Sequence, residues 1–261
     1  MSLLEPQRQD TPASPSGQGE REAQAQPGQR RPAWQQFRGA YGLIGFTVLV
    51  FAGQWLSLSL AGTDLLLEWG AKSRPEMIAG QIWRFVTPIF LHVSLPHLLV
   101  NMYSLYAIGP AVERFFGTPR FIAVYLLCGI SGVLFSLALS PYPSAGASGS
   151  IFGLLGALAA FLYLHRTLFG RLQLRQLVLV AVLNLALGLL PGIDNWGHVG
   201  GLLAGVVLTW AIGPAYRVVW VTAEHGQLAD QRPWREVRAS TLVAAGVLFA
   251  LALTALILPP L

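Results

Sequence analysis

The chain has 261 residues, of which 54% are hydrophobic and only 11% charged. Soluble domains carry about 25% charged residues, so an ordinary soluble enzyme is excluded, as is a disordered protein everywhere except the N-terminus. For such a chain the net charge of +5 raises a question of sidedness across a membrane rather than of nucleic-acid binding.

Nine charged residues fall within the first 40 positions, in a stretch rich in Gln, Pro, Ser, Gly and Arg. Residues 1–39 are therefore expected to form a disordered cytoplasmic tail. They hold no apolar run of the kind a cleavable signal peptide needs. Residues 40–258 read as an all-α polytopic membrane domain with seven spans. A span needs about 20 mostly apolar residues. The segments run from Tyr41 to Ala61, His97 to Glu113, Phe121 to Leu139, Ser148 to Leu164, Leu174 to Leu190, Gly197 to Ile212 and Thr241 to Leu258. With this count, 14 of the 17 Lys and Arg residues fall on one side, and Lys72, Arg74 and Arg84 on the other. The positive-inside rule then puts the N-terminus in the cytoplasm and the C-terminus outside. The long loop 62–96 carries Trp69, Trp83 and Phe85 among few charges, which suits a segment in the membrane interface. Cys128, the single cysteine, lies in an apolar run and reads as a passive core residue.

Polar groups inside lipid are costly, so they are the candidates for function. Three clusters stand out: Gly146-Ala147-Ser148-Gly149, Asn195-Trp196-Gly197-His198-Val199-Gly200-Gly201, and His92 to Asn101, in which His97 and Asn101 share one helical face. In the seven-span topology all three lie at the outer ends of their helices, so Ser148, His198, His97 and Asn101 come to a similar depth. A serine becomes a nucleophile when a base takes its proton, and histidine can serve. Ser148 and His198 are 50 residues apart and meet only if their helices pack closely. Gly149 with Gly153, and Gly201 with Gly205, supply the small-residue grooves that allow it. Asn101 and His97 can donate to an oxyanion, as can the backbone N–H of Ser148 at a helix start. Asp194 precedes His198 by four residues in a loop, where capping of the sixth helix or contact with solvent is favoured over a triad role. No metal site is expected, because no Asp, Glu or Cys joins His92, His97 and His198 at ligand spacing. A non-catalytic helix-binding protein would not need the Ser148 and His198 pair. A transporter would call for repeated halves with ionisable residues at mid-membrane, and the polar groups here gather near one face.

These residues resemble the rhomboid intramembrane serine proteases, over nearly all of residues 41–258. In that family a Gly-x-Ser-Gly serine opens the fourth core helix and a histidine in the sixth is its base, which matches Ser148 and His198. The family's His-x-x-x-Asn pair matches His97 and Asn101, with His92 five residues before, and its Trp-Arg pair matches Trp83-Arg84. The series Gly109, Glu113, Gly117 is similar to the family's Gly-x-x-x-Glu-x-x-x-Gly signature, and gives Glu113 a structural role at the cytoplasmic helix end. Phe152 stands where many bacterial members have a tyrosine stacked on the catalytic histidine. Ala147 precedes the serine, where inactive relatives carry proline.

The resemblance implies a bacterial-type six-plus-one arrangement in the cell inner (plasma) membrane, with the active site towards the extracellular or periplasmic side. It implies a Ser148–His198 dyad oriented by Phe152 and no cofactor. The implied partners are single-span or other membrane-protein substrates, with helix-destabilising sequence and a small residue at the cut, reaching the site laterally near the second and fifth spans. The segment Pro191–Asn195 is placed to form a mobile cap.

Overall fold

Apolar runs of 16 to 24 residues, three of them opened by a side-chain cap or a first-turn proline, set the architecture. The computed structural model describes residues 36–169, 171–190, 192–220 and 226–257. Within them the long helices are α1 (Arg38–Ala61), α2 (Leu95–Phe116), α3 (Thr118–Leu139), α4 (Ser148–Leu164), α5 (Leu172–Leu187), α6 (Asn195–Ile212) and α7 (Trp234–Ile257). Each overlaps one of the segments singled out in the sequence. The expected N-terminal tail lies outside the described residues as far as residue 35, and α1 begins at Arg38. By length and composition α1, α3 and α7 can each cross a membrane, while α4 and α5 are apolar but shorter. Their outward faces suit lipid: Leu49, Trp55, Leu60, Leu242, Val243 and Ile257 are all exposed.

The helix ends have local causes. Ser94 Oγ accepts from His97 N, and Pro96 sits in the first turn of α2. Gly117, with φ +76°, turns the chain from α2 into α3, where Pro119 again occupies the first turn. The α1 start is held from a distance: the Glu113 carboxylate accepts from Gly39 N at 2.9 Å, Ala40 N at 2.8 Å and the Thr118 hydroxyl at 2.6 Å. Two backbone donors that α1 leaves unpaired are satisfied this way, and α1 is locked to the α2–α3 turn.

The core centres on α4, of whose 17 residues 12 are buried. It packs between α3 and α6, and α1, α5 and α7 lie outside; α5 buries only Ala181. The α4–α6 contact is backbone against backbone. A Cβ on Gly201 would sit 1.9 Å from Gly149 O, and one on Gly205 would sit 1.9 Å from Gly153 O. The two expected glycine pairs therefore face each other.

The loop 62–94 is folded rather than open. It contains short helices at Leu65–Gly70 and Arg74–Ile78 and 3-10 turns at Ile82–Phe85 and Thr87–Phe90. Arg84, 4% exposed, ties it together by donating to the carbonyls of Glu68 and Ala71 and to Gln81 Oε1. Trp83 stacks on Trp69 and donates to its carbonyl at 2.9 Å. Gln54, fully buried in α1, exchanges two hydrogen bonds with the His92 backbone and bonds Asp64.

A β-hairpin, β1 (Tyr216–Trp220) with β2 (Gly226–Asp230), links α6 to α7. Its base is pinned by the Arg120–Asp230 ion pair at 2.6 Å and by Tyr216 N donating to His165 Nε2. Burial acts to raise the Asp230 pKa, but the Arg120 guanidinium and the N–H groups of Arg232 and Ala215 outweigh it, so the carboxyl titrates below its ordinary value.

Two measurements follow. Gly201→Ala forces a Cβ into a backbone oxygen and should lower the thermal midpoint in detergent, since overpacking costs about 1–3 kcal/mol. Gly246→Ala, with open space around the added Cβ, should leave the midpoint unchanged or slightly raised; equal losses in both variants would remove the α4–α6 contact from its place in the fold. Asp230 has a depressed folded pKa, so its stabilisation is present above the unfolded carboxylate value and lost as pH falls through the folded one. The midpoint gap between wild type and Asp230→Asn should therefore hold at neutral pH and close only below about pH 4.

Candidate active site

Ser148 opens α4 and His198 lies in the first turn of α6. The glycine contact between these helices brings Ser148 Oγ to 2.9 Å from His198 Nε2. That is hydrogen-bond distance between a nucleophile and a base. His198 is 8% exposed. Phe152, one turn after Ser148, lies flat against its ring, with centroids 4.3 Å apart and planes at 12°. The imidazole is thus held by a face contact and by the serine.

The other ring nitrogen, Nδ1, has no hydrogen-bond partner among the described residues. Asp194 does not fill that place. Its Oδ1 accepts from Gly197 N at 3.1 Å, its Oδ2 accepts from Ser136 Oγ, and its carbonyl accepts from His198 N at 3.3 Å. Asp194 is the cap of α6, one of the two roles that the sequence favoured over a triad. Pro191, where the expected cap over the site begins, lies outside the described residues.

His97 reaches the site across Gly146. With φ +144°, Gly146 adopts a backbone conformation that other residues rarely take, and its N–H donates to Pro88 O at 2.8 Å. A Cβ there would stand 2.7 Å from His97 Cε1, 3.0 Å from His97 Nε2 and 3.8 Å from Ser148 Oγ. The glycine therefore lets the His97 ring come close to Ser148. His92 backs His97 edge-on, with centroids 5.1 Å apart. Asn101 is buried one turn after His97 and donates through Nδ2 to His97 O at 2.9 Å. A second proton on that nitrogen remains for a ligand. Ser148, His198, Phe152, His97 and Gly146 gather at one end of the bundle with Gly149. Gly153, Gly201 and Gly205 lie along the α4–α6 contact below. Trp83 and Arg84 hold the loop, and Glu113 lies at the opposite end of α2. No group of three His, Cys, Asp or Glu residues able to hold a metal occurs among the described residues.

The family model described as the Rhomboid domain matches residues 79–215, just over half of the chain. The chain belongs to the rhomboid family. The chain is 40% identical over 174 residues to the rhomboid protease GluP of Bacillus subtilis (strain 168), covering 66% of this chain and 34% of that protein. It is 40% identical over 152 residues to RHOMBOID-like protein 5 of Arabidopsis thaliana, covering 56% and 49%. Against RHOMBOID-like protein 2 of the same plant it is 34% identical over 191 residues, covering 72% and 59%. The chain thus spans between a third and three fifths of the length of these relatives. The family and the apolar helices make it a membrane protein.

Three buried polar residues bonded to segments beside the site were not singled out in the sequence: Gln54, which bonds the His92 backbone, and Lys72 and Ser136, which bond each other. Gln54 and Lys72 are 1% exposed and Ser136 is fully buried. Gln54 interrupts an otherwise apolar span, which is a signal the sequence did carry.

Proposed function

We propose that this rhomboid domain is an intramembrane serine endopeptidase working through a Ser148–His198 dyad. The observation that carries the reading is the 2.9 Å contact between Ser148 Oγ and His198 Nε2, with Phe152 stacked on the imidazole. Ser148 Oγ attacks the scissile carbonyl carbon while His198 Nε2 takes its proton. The C–N bond then breaks, and His198 returns that proton to the leaving amine. Water, activated by the same imidazole, hydrolyses the acyl-enzyme and frees Ser148. The Asn101 amide, the His97 ring and the Ser148 N–H stabilise the oxyanion.

Substrates in this reading are membrane proteins cut in or beside a transmembrane segment. The relative named a rhomboid protease supports peptide hydrolysis. A small cavity beside Ser148, walled in part by Gly129, Gly132, Gly146 and Gly149, suits a small side chain at the cut. The sparse burial of α5 supports lateral access between α2 and α5. The chain crosses the inner membrane seven times in this reading, with residues 1–39 as a cytoplasmic tail. Ser148 then lies towards the extracellular or periplasmic side, as the distribution of basic residues argues.

The test is cleavage of a single-span reporter by purified protein in detergent or nanodiscs. Ser148→Ala and His198→Ala should abolish cleavage with the thermal midpoint retained; full activity in either would sink the dyad. Asn101→Ala should slow turnover by roughly 10-fold or more, as loss of an oxyanion donor does, and wild-type turnover would remove it from that role. Phe152→Tyr should retain turnover because the stack survives, whereas Phe152→Ala should lower kcat. Equal rates for those two variants would show that the ring contact does not orient His198.

A further inference from the structure

Lys72 is the single lysine among 17 basic residues, and it is 1% exposed. It lies in the loop between α1 and α2. Its ammonium donates to Ser136 O at 3.3 Å, Ser136 Oγ at 2.9 Å and Ser140 O at 3.1 Å. Three donors meet three acceptors at the C-terminal end of α3, where the helix dipole favours a cation. Ser136 Oγ, having accepted from Lys72, donates its own proton to Asp194 Oδ2. Asp194 then holds the first turn of α6 through Gly197 N and His198 N.

The Lys72 backbone makes a second connection. Its N–H donates to Ser144 O at 2.8 Å, and its carbonyl accepts from Ser144 N at 3.2 Å. Ser144 lies four residues before Ser148. One residue therefore grips the chain leading into α4 with its main chain, while its side chain grips the end of α3 and, through Ser136, reaches Asp194 at the start of α6.

Stability alone does not account for this choice. Burying an ammonium is costly, and well-packed apolar residues often replace buried charges without loss. Nor does arginine, used at every other basic position, offer the same contact. Its planar fork is larger and cannot direct three protons from one point.

We propose that Lys72, acting through Ser136 and Asp194, is a positioning residue that keeps the starts of α4 and α6 in register for proton transfer from Ser148 to His198. The proposal rests on the dyad reading above. It also carries a pH signature. Burial lowers the Lys72 pKa from its ordinary 10.5, the facing Asp194 carboxylate opposes this, and Arg74 of its own loop adds to it. Asp194 and Arg74 are the charged groups acting on it; α3 and the segment before α4 offer it hydroxyls and carbonyls. Above the folded pKa, which lies under 10.5, the ammonium is lost and the register loosens.

The test uses the full chain, the same reporter, and kcat and KM followed from neutral to alkaline pH. Lys72→Met should lower kcat roughly 10- to 100-fold, the loss that small misplacement of reacting groups produces, with KM unchanged. The alkaline decline of the wild type should be absent from it. Ser136→Ala keeps both carbonyl bonds to Lys72 but cuts the link to Asp194. It should also slow kcat, and the double variant should be no slower than Lys72→Met alone. Additive losses, or a wild-type alkaline decline persisting in Lys72→Met, would overturn the proposal. Should Lys72→Met fail to fold, Ser136→Ala decides alone, and full kcat there overturns it. Wild-type cleavage that is lost in Ser148→Ala but untouched by Ser136→Ala strikes the positioning role only. No wild-type cleavage, or cleavage surviving Ser148→Ala, strikes the dyad reading and the positioning role with it.

Discussion

Two helix backbones in direct contact are the constraint on which the rest of this rhomboid domain depends. Gly201 faces the carbonyl of Gly149, and Gly205 faces that of Gly153, with no room for a side chain at either place. Lipid offers no hydrophobic drive for helices to associate, so close packing of small residues must supply the attraction. The same contact sets the chemistry. Ser148 directly precedes one of these glycines and His198 stands three residues before another, so the spacing that packs the helices also sets the 2.9 Å between Oγ and Nε2.

A histidine without a carboxylate behind it needs another means of orientation. Phe152 provides a flat face 4.3 Å away, and the residue sits on the same helix as the serine. Ser148 and the ring support therefore move as one body. The nearest acid, Asp194, is engaged with the backbone of α6 and with Ser136. Its carboxylate acts on the position of His198 through the helix start rather than on the imidazole itself.

The readable parts of this molecule were those with a period or a spacing. Ser148 and His198 stand beside glycine pairs four residues apart, and Glu113 sits in a four-residue series with Gly109 and Gly117; that spacing is local and visible. The helix ends shifted by a few residues because the caps that decide them are tertiary. Glu113, far away in sequence, is what satisfies Gly39 and Ala40 at the start of α1. The loop 62–94 has no period, and its shape comes from Arg84 reaching back to the carbonyls of Glu68 and Ala71. The hairpin escaped because its strands are five residues each, among arginines and turn residues, and because its anchor, Arg120, is 110 positions from Asp230. Nothing in the neighbours of Lys72 announces its burial.

Glu113, Arg84, Gln54 and Lys72 share a habit that explains how so few polar residues suffice. Each bonds mainly to backbone groups, and most of those groups lie in a segment entering or leaving a helix. A side chain that bonds another side chain fixes two flexible ends, whereas one that bonds the main chain fixes the path of the chain itself. Buried backbone donors and acceptors must be satisfied in any case, so these contacts meet an existing demand while setting position. In a domain whose interior is almost all apolar, specificity of arrangement then comes from where the helices start. The Ser148–His198 pair lies within the first turn of two such starts. Its geometry is therefore a property of the caps and loops above the membrane core as much as of the glycines within it.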